Sequence, residues 1–162
     1  MFEVFVQIEK SIFTEAELES MISKFIPKIE TLLEIEKKYF SIILTDDEFI
    51  KSMNNEYRKK DCATDVLSFP TSDSVDDIAI ESIDNEFMEN EDDLGEIYIS
   101  IETAIRQADE FKVSIEDELK RLVVHGILHL MGFDHEKSDE DEKIMNERED
   151  FVLSQLKPQS QK

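Results

Sequence analysis

Leu119-Lys-Arg-Leu-Val-Val-His125-Gly-Ile-Leu-His129-Leu-Met131 is the stretch that decides the fold. Wound as a helix it is apolar on nearly all sides, Arg121 and the two histidines aside, and such a helix must be wrapped by other elements. A central helix therefore predicts a layered fold built around it. Ser114 stands where a hydroxyl cap opens the helix, and Gly132 stands where a residue of positive φ ends it. Polar side chains set in such a helix lie at the floor of a cleft.

Working outward, Gly95-Glu-Ile-Tyr-Ile-Ser100 reads as a strand, and Ser100 caps a helix to about Phe111 that turns Ile101, Ala104, Ile105 and Ala108 inward. Asp65-Val-Leu-Ser-Phe69, stopped by Pro70, is a second strand candidate, and Tyr39 to Leu44, rich in aromatic and branched residues, is a third. Asp46 then caps a short helix packed through Phe49, Ile50 and Met53. Near the N-terminus Phe2, Val4, Val6 and Ile8 alternate with more polar neighbours, the mark of a strand with one buried face. Thr14 and Glu17 form a capping box for a helix carrying Leu18, Met21, Ile22, Phe25, Ile29, Leu32 and Leu33 in phase, and Pro27 is expected to kink or divide it. The last helix starts from a Ser138 to Asp141 capping signal and runs through Ile144, Met145, Phe151, Val152 and Leu156. Four strands and about five helices in this order give one α+β or α/β layer domain over residues 1–157, with a disordered tail at 158–162. Periodicity alone leaves the strand order open.

A chain of 162 residues suits one domain with a substantial core. Its single cysteine, Cys62, excludes an internal disulfide framework. The opening residues lack the blocks of a secretory signal, and no apolar run approaches membrane-spanning length. These features point to a soluble protein of a reducing cytoplasm. The formal charge of -22 argues against a nucleic-acid partner, but its distribution softens the objection. Fourteen Asp or Glu and no Lys or Arg lie between Asp61 and Ile105, which leaves -8 over the other 117 residues. The densest part, about 72–93, reads as a solvated acidic insertion between two strands.

All three histidines, His125, His129 and His135, fall within eleven residues. His125 and His129 are four apart, so on a helix their rings lie about 40° apart around the axis and one turn apart along it. Two imidazoles on one face can grip one ion, and a turn at Gly132 lets the chain deliver His135 as a third ligand. Three neutral nitrogens fit zinc best, though nickel, copper or iron would accept them. A structural zinc site is normally closed by four protein ligands, and Cys62 is far off in sequence, so the pattern favours an open fourth position. Asp134 is placed either to join the ligands or to orient a ring nitrogen. The spacing H-x-x-x-H-x-x-G-x-x-H matches that of metzincin peptidases, except that Gly126 stands where those enzymes carry the general-base Glu.

A second polar cluster runs Asn55-Glu-Tyr57-Arg58-Lys59-Lys60-Asp61 and then Thr64-Asp65-Val-Leu-Ser68-Phe69-Pro70. With Leu94-Gly95-Glu96-Ile-Tyr-Ile-Ser100 and His125-Gly-Ile-Leu-His129-Leu-Met-Gly132-Phe-Asp-His135, it resembles the YbeY family of endoribonucleases and ribosomal RNA maturation factors. The likeness extends from about Val4 to Leu156. The departures are Ala63 in place of a proline, Glu96 in place of an aspartate and the longer acidic insertion. The resemblance implies an α+β fold with a mainly parallel four-stranded sheet and His125, His129 and His135 as ligands of one zinc ion per chain. It also implies a functional role for Arg58. Its further implications are single-strand-specific cleavage in maturation of the 16S ribosomal RNA 3′ end, ribosome quality control, and contact with ribosomal or assembly proteins. Neither a membrane nor DNA is expected as a partner.

Phosphodiester hydrolysis needs a nucleophile and neutralisation of the charge that develops on phosphorus. A zinc ion held by three neutral imidazoles lowers the pKa of its water, and a guanidinium fork at Arg58 matches two phosphate oxygens. Attack by a ribose 2′-hydroxyl is the alternative route, and it requires RNA. Asp134 and Asp65 are candidates for proton transfer. Two other readings compete: a zinc peptidase, weakened by the missing Glu, and a non-enzymatic, zinc-stabilised assembly factor whose acidic face meets basic ribosomal proteins.

Overall fold

The computed structural model describes residues 2–8, 12–59, 63–71, 93–133 and 138–156. Cys62, Asp134, His135, most of the acidic segment and the tail at 158–162 lie outside the described residues. Strands β1 (Phe2–Val6), β2 (Tyr39–Thr45), β3 (Val66–Pro70) and β4 (Asp93–Ser100) form one sheet in the order β1-β2-β4-β3. β1 pairs parallel with β2 and β2 parallel with β4, while β3 runs antiparallel to β4 at the edge. The sheet is therefore mainly parallel, with the strand order that periodicity could not supply.

Five helices complete an α+β domain: α1 (Glu15–Leu32), α2 (Asp47–Arg58), α3 (Ile101–Phe111), α4 (Ile115–Leu130) and α5 (Asp139–Leu156). Each begins where a side-chain oxygen satisfies a backbone N–H that the first turn leaves unpaired. Thr14 and Glu17 exchange the two bonds of a capping box at 3.1 Å each. Asp46 accepts from the N–H of Phe49, Ser100 from Thr103, Ser114 from Asp117 and Ser138 from Asp141. α1 runs unbroken through Pro27, against the expected division. Leu18, Ile22, Phe25, Ile26 and Ile29 are buried on both sides of the proline, and that packing outweighs one missing helical hydrogen bond.

Two layers of helix enclose the sheet. α4 lies at the centre of one face with α1 and α5 against it, and Leu119, Leu122, Val123, Val124, Ile127 and Leu128 are all fully buried there. α2 covers part of the other face, where Phe49 stacks on Tyr98 at 6.1 Å between ring centres. Tyr98 alternates along β4 with Ile97 and Ile99, so the two helices meet opposite sides of the same strand.

Candidate metal centre

The C-terminal half of α4 carries the candidate site. His125 and His129 lie one turn apart, with ring centres 4.7 Å apart and ring planes at 72°. The helix ends as the sequence requires: the N–H of Gly132 donates to the carbonyl of His129 and that of Phe133 to Leu128, both at 3.0 Å, with Gly132 at φ +101°. This double closure satisfies the last carbonyls and turns the chain sharply after the second histidine.

Gly126, between the two histidines, faces β4. A Cβ there would stand 2.8 Å from Ile97 Cγ2, inside any contact that real side chains make. The helix and strand approach each other so closely that even a methyl group there would force Ile97 to shift. The carbonyl of Gly126 also accepts from the Ser68 hydroxyl at 3.4 Å, which ties edge strand β3 to the histidine helix. The place where a peptidase of this ligand spacing carries its carboxylate is filled by the sheet.

Behind the histidines the structure places an acid that the sequence reading passed over. Glu149 of α5 brings Oε2 to 3.2 Å from His125 Nδ1, and the two side chains are 13% and 25% exposed. Its signal was present in the helical phase. Met145, Val152 and Leu156 are buried, and Glu149 lies on their stripe, four residues after the first and three before the second. Ile144 and Phe151, which also suggested an inward face, are instead exposed. An acid on a core-facing stripe is an anomaly that only a polar partner explains.

One turn before His125, Arg121 forks onto Glu118, with Nε to Oε1 at 2.9 Å and Nη2 to Oε2 at 2.7 Å. Glu118 is buried to 1% exposure, and the bidentate pair supplies the partner that a buried carboxylate needs. The hydrogen bond from Arg121 to Glu118 holds the guanidinium above its ordinary pKa against the cost of burial, with Asp65 and Glu149 adding to the effect. Asp65 sits 3.6 Å from Arg121 Nη2. The amide nitrogen of Gln107, in the orientation its neighbours require, donates to Glu118 at 2.6 Å and to Asp65 at 3.3 Å. Asp65 thus belongs to a charge network beside the histidine helix. Arg58 closes α2, and its side chain lies outside the described part.

The chemistry of the donors suits a divalent ion. Two imidazoles share one helical face, and a carboxylate stands behind one of them within hydrogen-bond reach of Nδ1. Among the described residues no group of three or more His, Cys, Asp or Glu could hold a metal ion, and His135 lies outside them.

Comparison with known proteins gives the arrangement its family. The family model described as endoribonuclease YbeY matches residues 4–157. The chain belongs to the endoribonuclease YbeY family. A family member from Aquifex aeolicus is 47% identical over 72% of this chain and 69% of its own length. Another, from Caldicellulosiruptor bescii, is 39% identical over 95% of this chain and 97% of its own. The solution structure of TM1509 from Thermotoga maritima superposes with a TM-score of 0.60 at 25% identity, covering 100% of this chain and 99% of that one. The YbeY family name denotes nucleases that cut within an RNA strand. Among the described residues, no helix is long and apolar enough to cross a membrane.

Proposed function

We propose that the chain is a zinc-dependent endoribonuclease acting on single-stranded RNA. In this reading His125, His129 and His135 hold the ion and Arg58 takes the scissile phosphate. When bound, zinc supplies Lewis acidity to a phosphoryl oxygen or to water near neutral pH. The observation that carries the reading is the pair of α4 rings 4.7 Å apart, with a carboxylate 3.2 Å from Nδ1 of one, in a chain of the endoribonuclease YbeY family.

The protein's own residues contribute binding and orientation. Arg58 remains charged at any working pH, and its planar fork suits two phosphate oxygens. The turn closed at Gly132 and Phe133 ends α4 just after His129, and Gly132 stands three residues before His135 in the sequence. Gln107 of α3 donates to Glu118, which ties the first turns of α4 to α3, so the histidines ride on a rigid segment. The natural substrate we infer is the 3′ end of small-subunit ribosomal RNA, cut in the cytoplasm during maturation and quality control, with ribosomal or assembly proteins as partners. The supports for that are family membership and the match of the three motif segments.

A peptidase reading finds no support in the geometry, because the carboxylate it needs has no room at position 126. The test is a pair of variants. His129→Ala is expected to lose bound zinc and RNA cleavage together, and Arg58→Ala to keep the zinc while cleavage falls by about 100-fold or more, the scale of a lost transition-state charge contact. Full cleavage by His129→Ala protein that holds no zinc would overturn the proposal.

A further inference from the structure

We infer that Glu149 is a positioning residue of the metal site, fixing His125 as the tautomer that carries its proton on Nδ1 and its lone pair on Nε2. The inference rests on the reading of His125 as a zinc ligand and goes beyond it by assigning a role to a residue on another helix.

A carboxylate oxygen accepts, so at 3.2 Å from Glu149 Oε2 we assign the Nδ1 of His125 as the donor. A neutral imidazole has one protonated nitrogen, and a donor at Nδ1 makes Nε2 the nitrogen that can coordinate. The hydrogen bond also fixes the ring plane, because Glu149 is itself anchored on α5 between the buried Met145 and Val152. Stability alone does not account for the residue. An apolar side chain at 13% exposure would bury well on that stripe, whereas a carboxylate there must be paired to persist. Glu118 and Asp65 are engaged by Arg121 and Gln107, so neither of these neighbouring acids takes this place. The carboxylate also adds electron density to the ring, which strengthens an imidazole as a ligand.

The experiment measures zinc affinity by competition with a chromogenic chelator for the wild-type protein, Glu149→Gln and Glu149→Ala. It is paired with nitrogen NMR of ¹⁵N-histidine-labelled, metal-free protein under conditions where the rings are neutral. Glu149→Ala is expected to weaken zinc binding by about 10- to 100-fold, the range found when such an outer partner is removed. Glu149→Gln, which can still accept from Nδ1–H but has no charge, is expected to weaken it several-fold. The metal-free wild type is expected to show His125 protonated at Nδ1. Wild-type affinity in a folded Glu149→Ala protein would overturn the inference. Should that variant not fold, wild-type affinity in Glu149→Gln would do so, as would a ring protonated at Nε2. Wild-type protein that binds no zinc would overturn the metal reading itself, and the inference with it. Normal wild-type binding with unaltered variants would remove the inference alone.

Discussion

Gly126 decides which kind of hydrolase this helix can become. Ile97 is fully buried and branched at Cβ, so it cannot swing away from a side chain placed 2.8 Å from it. For Gly126→Ala, overpacking costs about 1–3 kcal/mol, while the gain in helix propensity returns about 1 kcal/mol. The expected net loss is about 1 kcal/mol in urea unfolding, with the fold intact. Gly126→Glu would force a carboxylate against the sheet and is expected to prevent stable folding. A Glu variant as stable as wild type would contradict this packing. The two α4 histidines were legible because their spacing is a local geometric fact. Glu149 was not, because α5 offers two apolar stripes in sequence, one through Met145 and Val152 and one through Ile144 and Phe151, and only packing selects between them.

Helices and their caps were the most legible elements, since a cap bonds within its own first turn. What joins the elements was not, because it depends on pairs far apart in sequence. Asp47, in the first turn of α2, accepts from the hydroxyls of Ser100 and Thr103 and from Arg106, while Glu102 of α3 accepts from the N–H of Asp47. The two helix starts are thereby locked together at the ends of β2 and β4. Burial works against the charge of Asp47, but the Ser100 and Thr103 hydroxyls and the Arg106 guanidinium together hold its carboxyl below the usual carboxylate range. A carboxyl depressed on folding stabilises the protein above its unfolded pKa, and that contribution disappears as pH falls through the folded value. Asp47→Asn is therefore expected to be less stable than wild type by about 1–3 kcal/mol at neutral pH. The difference should shrink as unfolding is followed into the acid range. A difference independent of pH would show that the charge is not what locks the helices. Pro27 teaches the same lesson in reverse: local chemistry predicted a break, and the buried stripe of α1 kept the helix whole.

Charge is the property of the whole molecule that sits least easily with an RNA substrate. Nine acids and no bases lie in residues 72–92. β3 and β4 meet beside that segment: Pro70 pairs with Gly95, and the N–H of Thr71 donates to the carbonyl of Leu94 at 3.2 Å. Strand ends so close can be joined by a short turn. Replacing the segment with such a turn is expected to leave the fold and the cleavage rate at saturating RNA unchanged. Binding of single-stranded RNA should tighten several-fold at low ionic strength, and the gain should vanish near 1 M salt, where screening falls to about 3 Å. A gain that persists at high salt would mean that the segment hinders RNA sterically rather than by its charge. The charge imbalance could be read from the sequence directly, whereas the meeting of the two strands beside it required the antiparallel pairing of β3. The central claim is that a metal ion held by the histidines of α4 makes this fold a nuclease. Its most direct test is cleavage of single-stranded RNA by purified protein, followed through chelation and then titration with zinc. Cleavage should cease on chelation and return in full at about one equivalent of zinc per chain, as one three-histidine site requires. Undiminished cleavage by protein shown by elemental analysis to be free of metal would contradict the account.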